Sequence, residues 1–148
     1  MATLEPAVQE EIERLSEAGN EKAEGRDWSG ALAAYRQALN LLPNPLDQWN
    51  ESTWLLTAIG ETLFFMENHE EARDTLRGAL MCPGGPDSAF IHLRLGQVEF
   101  ELQSIDRAKD ELARAFMLGG DEVFEGEDPK YWTFIREILR PPDKEVGG

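Results

Sequence analysis

The chain of 148 residues contains a single cysteine, Cys82, and no apolar run that approaches the length of a membrane span. One cysteine excludes an intramolecular disulfide and a cysteine-based zinc cluster, and a spanning helix requires about 20 consecutive apolar residues. The first thirteen residues carry four glutamates where a secretory signal has basic and apolar segments. We therefore expect a cytoplasmic protein that does not cross a membrane.

Basic residues are scarce in this sequence, with 14 lysines and arginines against 29 aspartates and glutamates and a formal net charge of -15. Affinity for nucleic acid depends mainly on neutralising phosphates with basic side chains, so DNA and RNA are excluded as partners, and so are anionic membranes. A large negative field favours encounter with a basic surface. The expected partner is another protein with a basic surface.

Residues that carry catalysis are also few. The two histidines, His69 and His92, belong to different segments and to no metal-binding spacing. Gly84-Gly85 is flanked by prolines and lacks the lysine of a phosphate-binding loop. Adjacent acids such as Asp110-Glu111 point in different directions on a helix. We therefore predict no enzyme activity, no catalytic residue, no metal and no cofactor.

Three segments of the chain align without gaps: 17–39, 57–80 and 93–116. In each, a glycine is followed twelve residues later by an alanine, four residues further by a bulky side chain, and three residues after that by a second alanine. These structural repeat positions are Gly19, Ala31, Tyr35 and Ala38, then Gly60, Ala72, Leu76 and Ala79, then Gly96, Ala108, Leu112 and Ala115.

Around these positions apolar residues recur at steps of three and four, which is typical of amphipathic helices. The pattern resembles the tetratricopeptide-repeat (TPR) family. The resemblance implies an all-α solenoid of three helical hairpins and a C-terminal capping helix in one domain, residues 1–148. Glycines and prolines between the periodic segments predict helices at 8–25, 28–42, 50–66, 69–82, 87–102 and 105–118.

The repeats are predicted at about 12–43, 53–84 and 89–120. Their spacing exceeds the 34 residues of the family, and the extra length at 43–53 is either a harmless insertion or a binding element. An acidic stretch, 121–128, follows and is predicted to be a solvated connector. Asp128-Pro129 then resembles a helix start, and the apolar helix 129–140 behind it either caps the last hairpin or also binds a partner.

In the TPR family the first helices of the hairpins line an inner, concave surface, which we call the inner face. The resemblance places a set of acidic, polar and aromatic residues there for partner binding. The set comprises Glu13, Ser16, Asn20, Trp54, Thr57, Glu61, Phe64, Phe65, Phe90, Leu93, Arg94, Gln97 and Glu101.

Aromatic residues among acids are typical of anchor points for a basic, partly apolar segment. Trp54 and Phe90 are expected to be exposed, with Trp49 as a further candidate. Phe64 and Phe65 belong either to the inner face or to the core between hairpins.

One TPR subclass holds the carboxylate of a chaperone tail with lysine, asparagine and arginine side chains. Asn20 and Arg94 are compatible with that role, but Ser16 and Glu61 replace a lysine and an asparagine. An acidic inner face repels an acidic tail. We therefore do not expect this chain to bind such tails.

The size, the acidity and the ending Glu-Asp-Pro-Lys-Tyr-Trp are similar to those of small bacterial TPR proteins, some of which are immunity proteins against toxins. The preferred hypothesis is thus a cytoplasmic immunity or inhibitor protein that blocks a basic toxin or effector. A generic TPR adaptor or chaperone that binds an extended peptide is the alternative. A self-associating structural protein, present as a homodimer, is a third.

Overall fold

The computed structural model describes residues 3–139, and its described residues form seven α-helices. Six of them pair into three helical hairpins, and the seventh packs on the last hairpin, so the prediction of an all-α fold is confirmed. The helices are α1 (Pro6–Glu24), α2 (Trp28–Asn40), α3 (Asn50–Phe65), α4 (His69–Leu80), α5 (Ala89–Glu101), α6 (Ile105–Gly119) and α7 (Pro129–Leu139). No helix in the described part is long and apolar enough to cross a membrane.

The turn inside each hairpin has the same backbone geometry. Its central residue lies in the left-handed region although it is not glycine: Arg26 at φ 61°, Glu67 at φ 61° and Gln103 at φ 64°. The next backbone N–H donates to the carbonyl five residues back, in the bonds Asp27 to Lys22, Asn68 to Leu63 and Ser104 to Glu99. This bond satisfies a carbonyl near the end of the first helix, and the chain reverses over the three residues between the two helices.

Each hairpin is closed by a bulky side chain that fills the space above a glycine. A Cβ built on the glycine would lie 2.5–2.6 Å from that side chain in all three cases, in the pairs Gly19 with Tyr35, Gly60 with Leu76, and Gly96 with Leu112. Real Cβ atoms do not approach other atoms so closely. The two helices of each hairpin therefore reach this separation because one of them has no side chain at the contact.

The core runs through the whole array. The six repeat alanines are fully buried where second helices meet first helices. One apolar cluster extends from α1 to α5, and a second joins hairpin three to α7 through Leu93, Phe124, Tyr131 and Ile135. α7 thus covers apolar surface that the last hairpin would otherwise expose.

Several helix ends differ from the predicted ones by two residues. α1 begins at Pro6, where proline suits the first turn, and α2 ends at Asn40. α5 begins at Ala89 because Gly85–Asp87 forms a short 3-10 helix and Ser88 then caps the helix by accepting from the Ile91 N–H at 3.2 Å.

The expectation that Trp49 is an exposed anchor is wrong. The segment between α2 and α3 contains a 3-10 helix, Leu46–Gln48, which turns Trp49 into the first core cluster. Its indole Nε1 donates to the Pro43 carbonyl at 2.7 Å. Burial of a large ring with a satisfied N–H stabilises the fold, so this residue has a structural role.

The stretch 121–128 is not simply a solvated connector. Its first part is a 3-10 helix, Asp121–Phe124, and Phe124 is only 7% exposed. Its last part carries Glu127, which forms an ion pair with Arg94. The acidic composition of this stretch did not indicate that Phe124 is buried or that Glu127 pairs with Arg94.

As predicted, Asp128 stands at the start of α7, where its carboxylate accepts from the Lys130 N–H at 3.0 Å. Residue 140 of the predicted helix lies outside the described residues.

Two glycine-to-alanine variants test the close contact inside the second hairpin. Gly78 in α4 has open space around it, with the nearest side-chain atom at 3.8 Å, so Gly78→Ala should stabilise the fold by about 0.5–1 kcal/mol. The free energy of unfolding of Gly60→Ala should be about 1–3 kcal/mol lower than that of Gly78→Ala, because the new methyl group meets fully buried Leu76. Urea denaturation followed by circular dichroism measures both, and equal stabilities would contradict the assignment.

Candidate protein-binding face

Arg94 is the centre of the inner face and is only 3% exposed. Its Nη1 donates to Gln97 Oε1 at 2.6 Å and to Glu127 Oε1 at 2.7 Å, while Nη2 donates to Glu61 Oε2 at 2.6 Å. Gln97 Nε2 donates to the same Glu127 oxygen at 2.8 Å. One guanidinium therefore joins α3, α5 and the segment before α7.

Three aromatic rings surround the same guanidinium. The Arg94 Cζ atom lies 5.3 Å from the centroids of Phe64 and Phe65 and 4.9 Å from that of Phe90. Attraction between a cation and ring faces adds to the ion pairs. Because one positive charge meets the two carboxylates of Glu61 and Glu127, the cluster carries an excess negative charge.

The predicted aromatic anchors are exposed. Trp54 is 42% exposed and Phe90 37% exposed. Of the two places considered for Phe64 and Phe65, the inner face and the core between hairpins, each residue takes a different one. Phe65 is an exposed ring that stacks on Trp28 with 4.9 Å between centroids, whereas Phe64 is half-buried and packs against both core clusters.

Four residues of the predicted set are buried. Leu93 belongs to the second core cluster, and Ser16 donates its hydroxyl to the Ile12 carbonyl at 2.7 Å. Arg94 and Gln97 are covered by the residues that they bind. These four side chains shape the inner face from below and offer no surface to a partner in this structure.

The remaining polar residues of the set lie at or near the surface. Glu13 and Asn20 are exposed, and the side-chain Oδ1 of Asn20 accepts from the Tyr35 hydroxyl at 2.6 Å. Thr57 is half-buried and donates to the Thr53 carbonyl at 2.6 Å. Glu13 makes no ion pair with a described residue, so it leaves negative charge on the α1 side of the face.

Glu101, at the end of α5, holds α7 in place. Its Oε2 accepts from the Tyr131 hydroxyl at 2.7 Å and lies 2.8 Å from Lys130 Nζ. Partial burial raises the pKa of Glu101, but the hydrogen bonds from Lys130 and Tyr131 outweigh it and hold the pKa below its ordinary value. Burial and the hydrogen bond to Glu101 raise the pKa of Tyr131.

Glu127, Lys130 and Tyr131 are members of this face that the repeat pattern missed. They lie after the third repeat, where no family position marks them. The helix start at Asp128-Pro129 could have indicated them. Residues on either side of that start lie at the edge of a helix that has to cover hairpin three.

His92 and Cys82 lie away from the inner face, whereas His69 lies beside it, with its ring centroid 5.7 Å from that of Phe64. His92 is buried, with Nδ1 2.5 Å from Glu111 on α6 and Nε2 2.8 Å from the Pro86 carbonyl. Burial raises the pKa of the Cys82 thiol, which donates to the Gly78 carbonyl at 3.4 Å. His92 joins α5 to α6 and to the segment before α5, whereas the Cys82 contact is local to the end of α4. Within residues 3–139 no group of three or more histidine, cysteine, aspartate or glutamate side chains could hold a metal ion.

Three stacked hairpins with a glycine notch in each, followed by a covering helix, identify the architecture. The fold is that of a TPR domain. The Arabidopsis OM64 TPR domain superposes with a TM-score of 0.71 at 16% identity, over 89% of this chain and 97% of that one. The first TPR of Spaghetti (RPAP3), bound to the HSP90 peptide SRMEEVD, gives 0.70 at 16% identity, over 94% and 95%.

The Sgt2 TPR domain from Aspergillus fumigatus is also similar, with a TM-score of 0.67 at 20% identity over 93% of this chain and 83% of that one. No family model matches the sequence, and no curated protein matches it. At such identities the likeness shows the TPR fold alone. The residues of the inner face decide what this TPR domain can bind.

The pairing of Glu101 with α7 predicts a pH-dependent contribution to stability. Because the folded pKa of Glu101 lies below its ordinary value of 4.5, the carboxylate stabilises the fold above that value and loses the effect as the pH falls through the folded pKa. Glu101→Gln should therefore cost about 1–2 kcal/mol at pH 7. The difference from the wild type should shrink below pH 4.5. Urea denaturation at several pH values measures it, and a cost that does not vary with pH would contradict the pairing.

Proposed function

We propose that this TPR domain is a protein-interaction module that binds an extended segment of a partner along its inner face. Exposed Trp54, Phe65 and Phe90 supply apolar contact area, and Glu13, Glu61 and Glu101 supply acceptors around them. Large aromatic residues ringed by polar groups are the usual anchors of protein interfaces.

The similar structures favour peptide binding over the inhibitor role that the sequence suggested. The first TPR of Spaghetti (RPAP3) has a peptide bound to it, and none of the three TPR domains reported above is described as a toxin inhibitor. Its ligand, SRMEEVD, contains three acidic side chains. The state of Arg94 argues for a different ligand in this chain.

The neutralisation of Arg94 is the observation that carries the proposed charge of the ligand. Both terminal nitrogens of the guanidinium are already bound to carboxylates, and Arg94 is almost completely buried. An acidic segment would find no free cation there and would meet the excess charge of Glu61 and Glu127. We infer that the bound segment carries lysine or arginine beside apolar residues.

The net charge of -15 supports a second proposal, an immunity or inhibitor protein in the cytoplasm that covers a basic toxin. The same acidic and aromatic residues would serve it. The two proposals differ in stoichiometry and affinity: an inhibitor should bind one folded domain with nanomolar or tighter affinity, whereas a peptide groove typically reaches the micromolar range, about three powers of ten weaker.

Two labelled heptapeptides test the peptide-binding proposal. One is SRMEEVD, and the other replaces its three acids with lysine and has an amidated C-terminus. The lysine peptide should bind about tenfold more tightly or better, because it complements the inner face and the acidic one opposes it. Fluorescence anisotropy at low and high salt measures both affinities, and salt should weaken the lysine peptide.

A matched pair of variants locates the binding surface. Trp54→Ala should weaken the lysine peptide about tenfold, since anchor residues cost more than about 1 kcal/mol when truncated. Met117→Ala removes a residue that is 79% exposed on α6, outside the inner face, and should leave the affinity unchanged. Equal binding of the two peptides, no binding of either, or equal losses in both variants would reject the proposal.

A further inference from the structure

A cavity lies where the segment before α7 turns into that helix. It has a volume of about 310 Å³, which falls within the range of about 300–1,000 Å³ for ligand pockets. Its lining combines three carboxylates, two aromatic rings and one proline, with no basic residue: Asp121, Phe124, Glu125, Glu127, Pro129 and Trp132.

The aromatic walls of the cavity are held in place from behind. The rings of Phe124 and Trp132 lie 5.1 Å apart at an angle of 48°, and Trp132 stacks on Phe116 at 5.9 Å. Phe124 is almost completely buried. Because packing already fixes these two lining rings, a ligand in the cavity contacts them without an entropic cost for ordering them.

The carboxylates of the cavity differ in how they are used. Glu127 is held by Arg94 and Gln97 through one oxygen, Oε1. Asp121 and Glu125 are exposed and make no ion pair with any residue in the part of the chain that the structure describes. The cavity therefore contains negative charge in excess of what residues 3–139 neutralise.

Elsewhere in the chain, aromatic rings and carboxylates together hold two basic side chains, Arg94 and Lys130. Arg94 lies among three rings and two carboxylates. Lys130 Nζ lies 2.8 Å from Glu101 and within 5.9 Å and 5.2 Å of the ring centroids of Phe100 and Tyr131. In the cavity the rings and the carboxylates recur, but no cation lines it.

We propose that the cavity is a subsite for a lysine or arginine side chain of the bound partner. The carboxylates attract the cationic end, and the rings of Phe124 and Trp132 contact its alkyl stem and its charge. The subsite adjoins the inner face because Glu127 belongs to both. This inference rests on the proposed function and makes it more specific, since it places one basic residue of the segment beside α7.

Titration with a single amino acid derivative tests the subsite without any peptide. The probe is N-acetyl-lysine methylamide, and its neutral counterpart is N-acetyl-norleucine methylamide. We expect the lysine probe to shift the indole N–H resonance of Trp132 in a saturable way while that of Trp54 does not move, and we expect no saturable shift with norleucine. No saturable shift at Trp132, or equal shifts with both probes, would overturn the proposal.

Matched double variants separate the subsite from the general acidity of the protein. Asp121→Asn with Glu125→Gln should weaken the lysine probe about fivefold, because two of the three carboxylates lose their charge. Glu10→Gln with Asp110→Asn removes the same charge from exposed positions elsewhere and should change the affinity by less than about twofold. Equal weakening in the two double variants would overturn the proposal.

A third variant distinguishes the partner from two basic residues near the end of the chain, Arg140 and Lys144. Arg140→Gln with Lys144→Gln should leave the affinity for the lysine probe unchanged, whereas an increase of about fivefold or more would assign the cavity to these two residues. The outcome is independent of the peptide experiment. If Trp54→Ala loses peptide binding but the lysine probe gives no signal at Trp132, the subsite alone is rejected. If the probe gives a signal at Trp132 but Trp54→Ala keeps its peptide binding, the inner-face proposal alone is rejected.

Discussion

The close approach of two helices at a glycine is the constraint on which this structure depends. In each hairpin the bulky residue of the second helix lies directly over the glycine of the first, where a Cβ atom could not fit. The separation of the helices follows from that contact, and the buried alanines allow neighbouring hairpins to pack in the same way. Repetition of one contact three times produces the array and, with it, a face lined by the first helices.

Arg94 depends on this array and in turn organises the inner face. A buried guanidinium is costly unless carboxylates and hydrogen bonds compensate it, and here three elements supply them. The contact with Glu127 fixes the segment before α7, and Glu101 fixes the start of α7 through Lys130 and Tyr131. The ion pairs therefore decide which part of the face remains open as well as its charge.

The proposed choice of ligand rests on the distribution of charge on the inner face. A TPR domain similar to this one is bound to an acidic peptide, whereas the described inner face here has its central cation neutralised and its aromatic residues surrounded by acids. The fold supplies the groove, and a few side chains determine the charge of the segment that the groove accepts. Under the proposed function a residue outside the repeats, Glu127, contributes to that choice through its ion pair with Arg94.

Much of the fold could be predicted from the sequence, because helix periodicity and the glycine-alanine spacing are local signals. Exposure of Trp54 and Phe90 was also predicted from their place in the repeat. The departures on the inner face involve contacts between residues about 30 positions apart, such as Arg94 with Glu127 and Glu101 with Tyr131. The composition of an acidic stretch does not reveal that one of its carboxylates will meet a buried arginine.

The sequence by itself thus determined the helices, the hairpins and the acidic character of the protein, since these follow from spacing within a single segment and from composition. Only the tertiary structure decided that Trp49 enters the core, that Arg94 is neutralised, and that the segment before α7 forms part of the inner face. The physical reason is that burial and ion pairing depend on which distant segments the packed helices bring together.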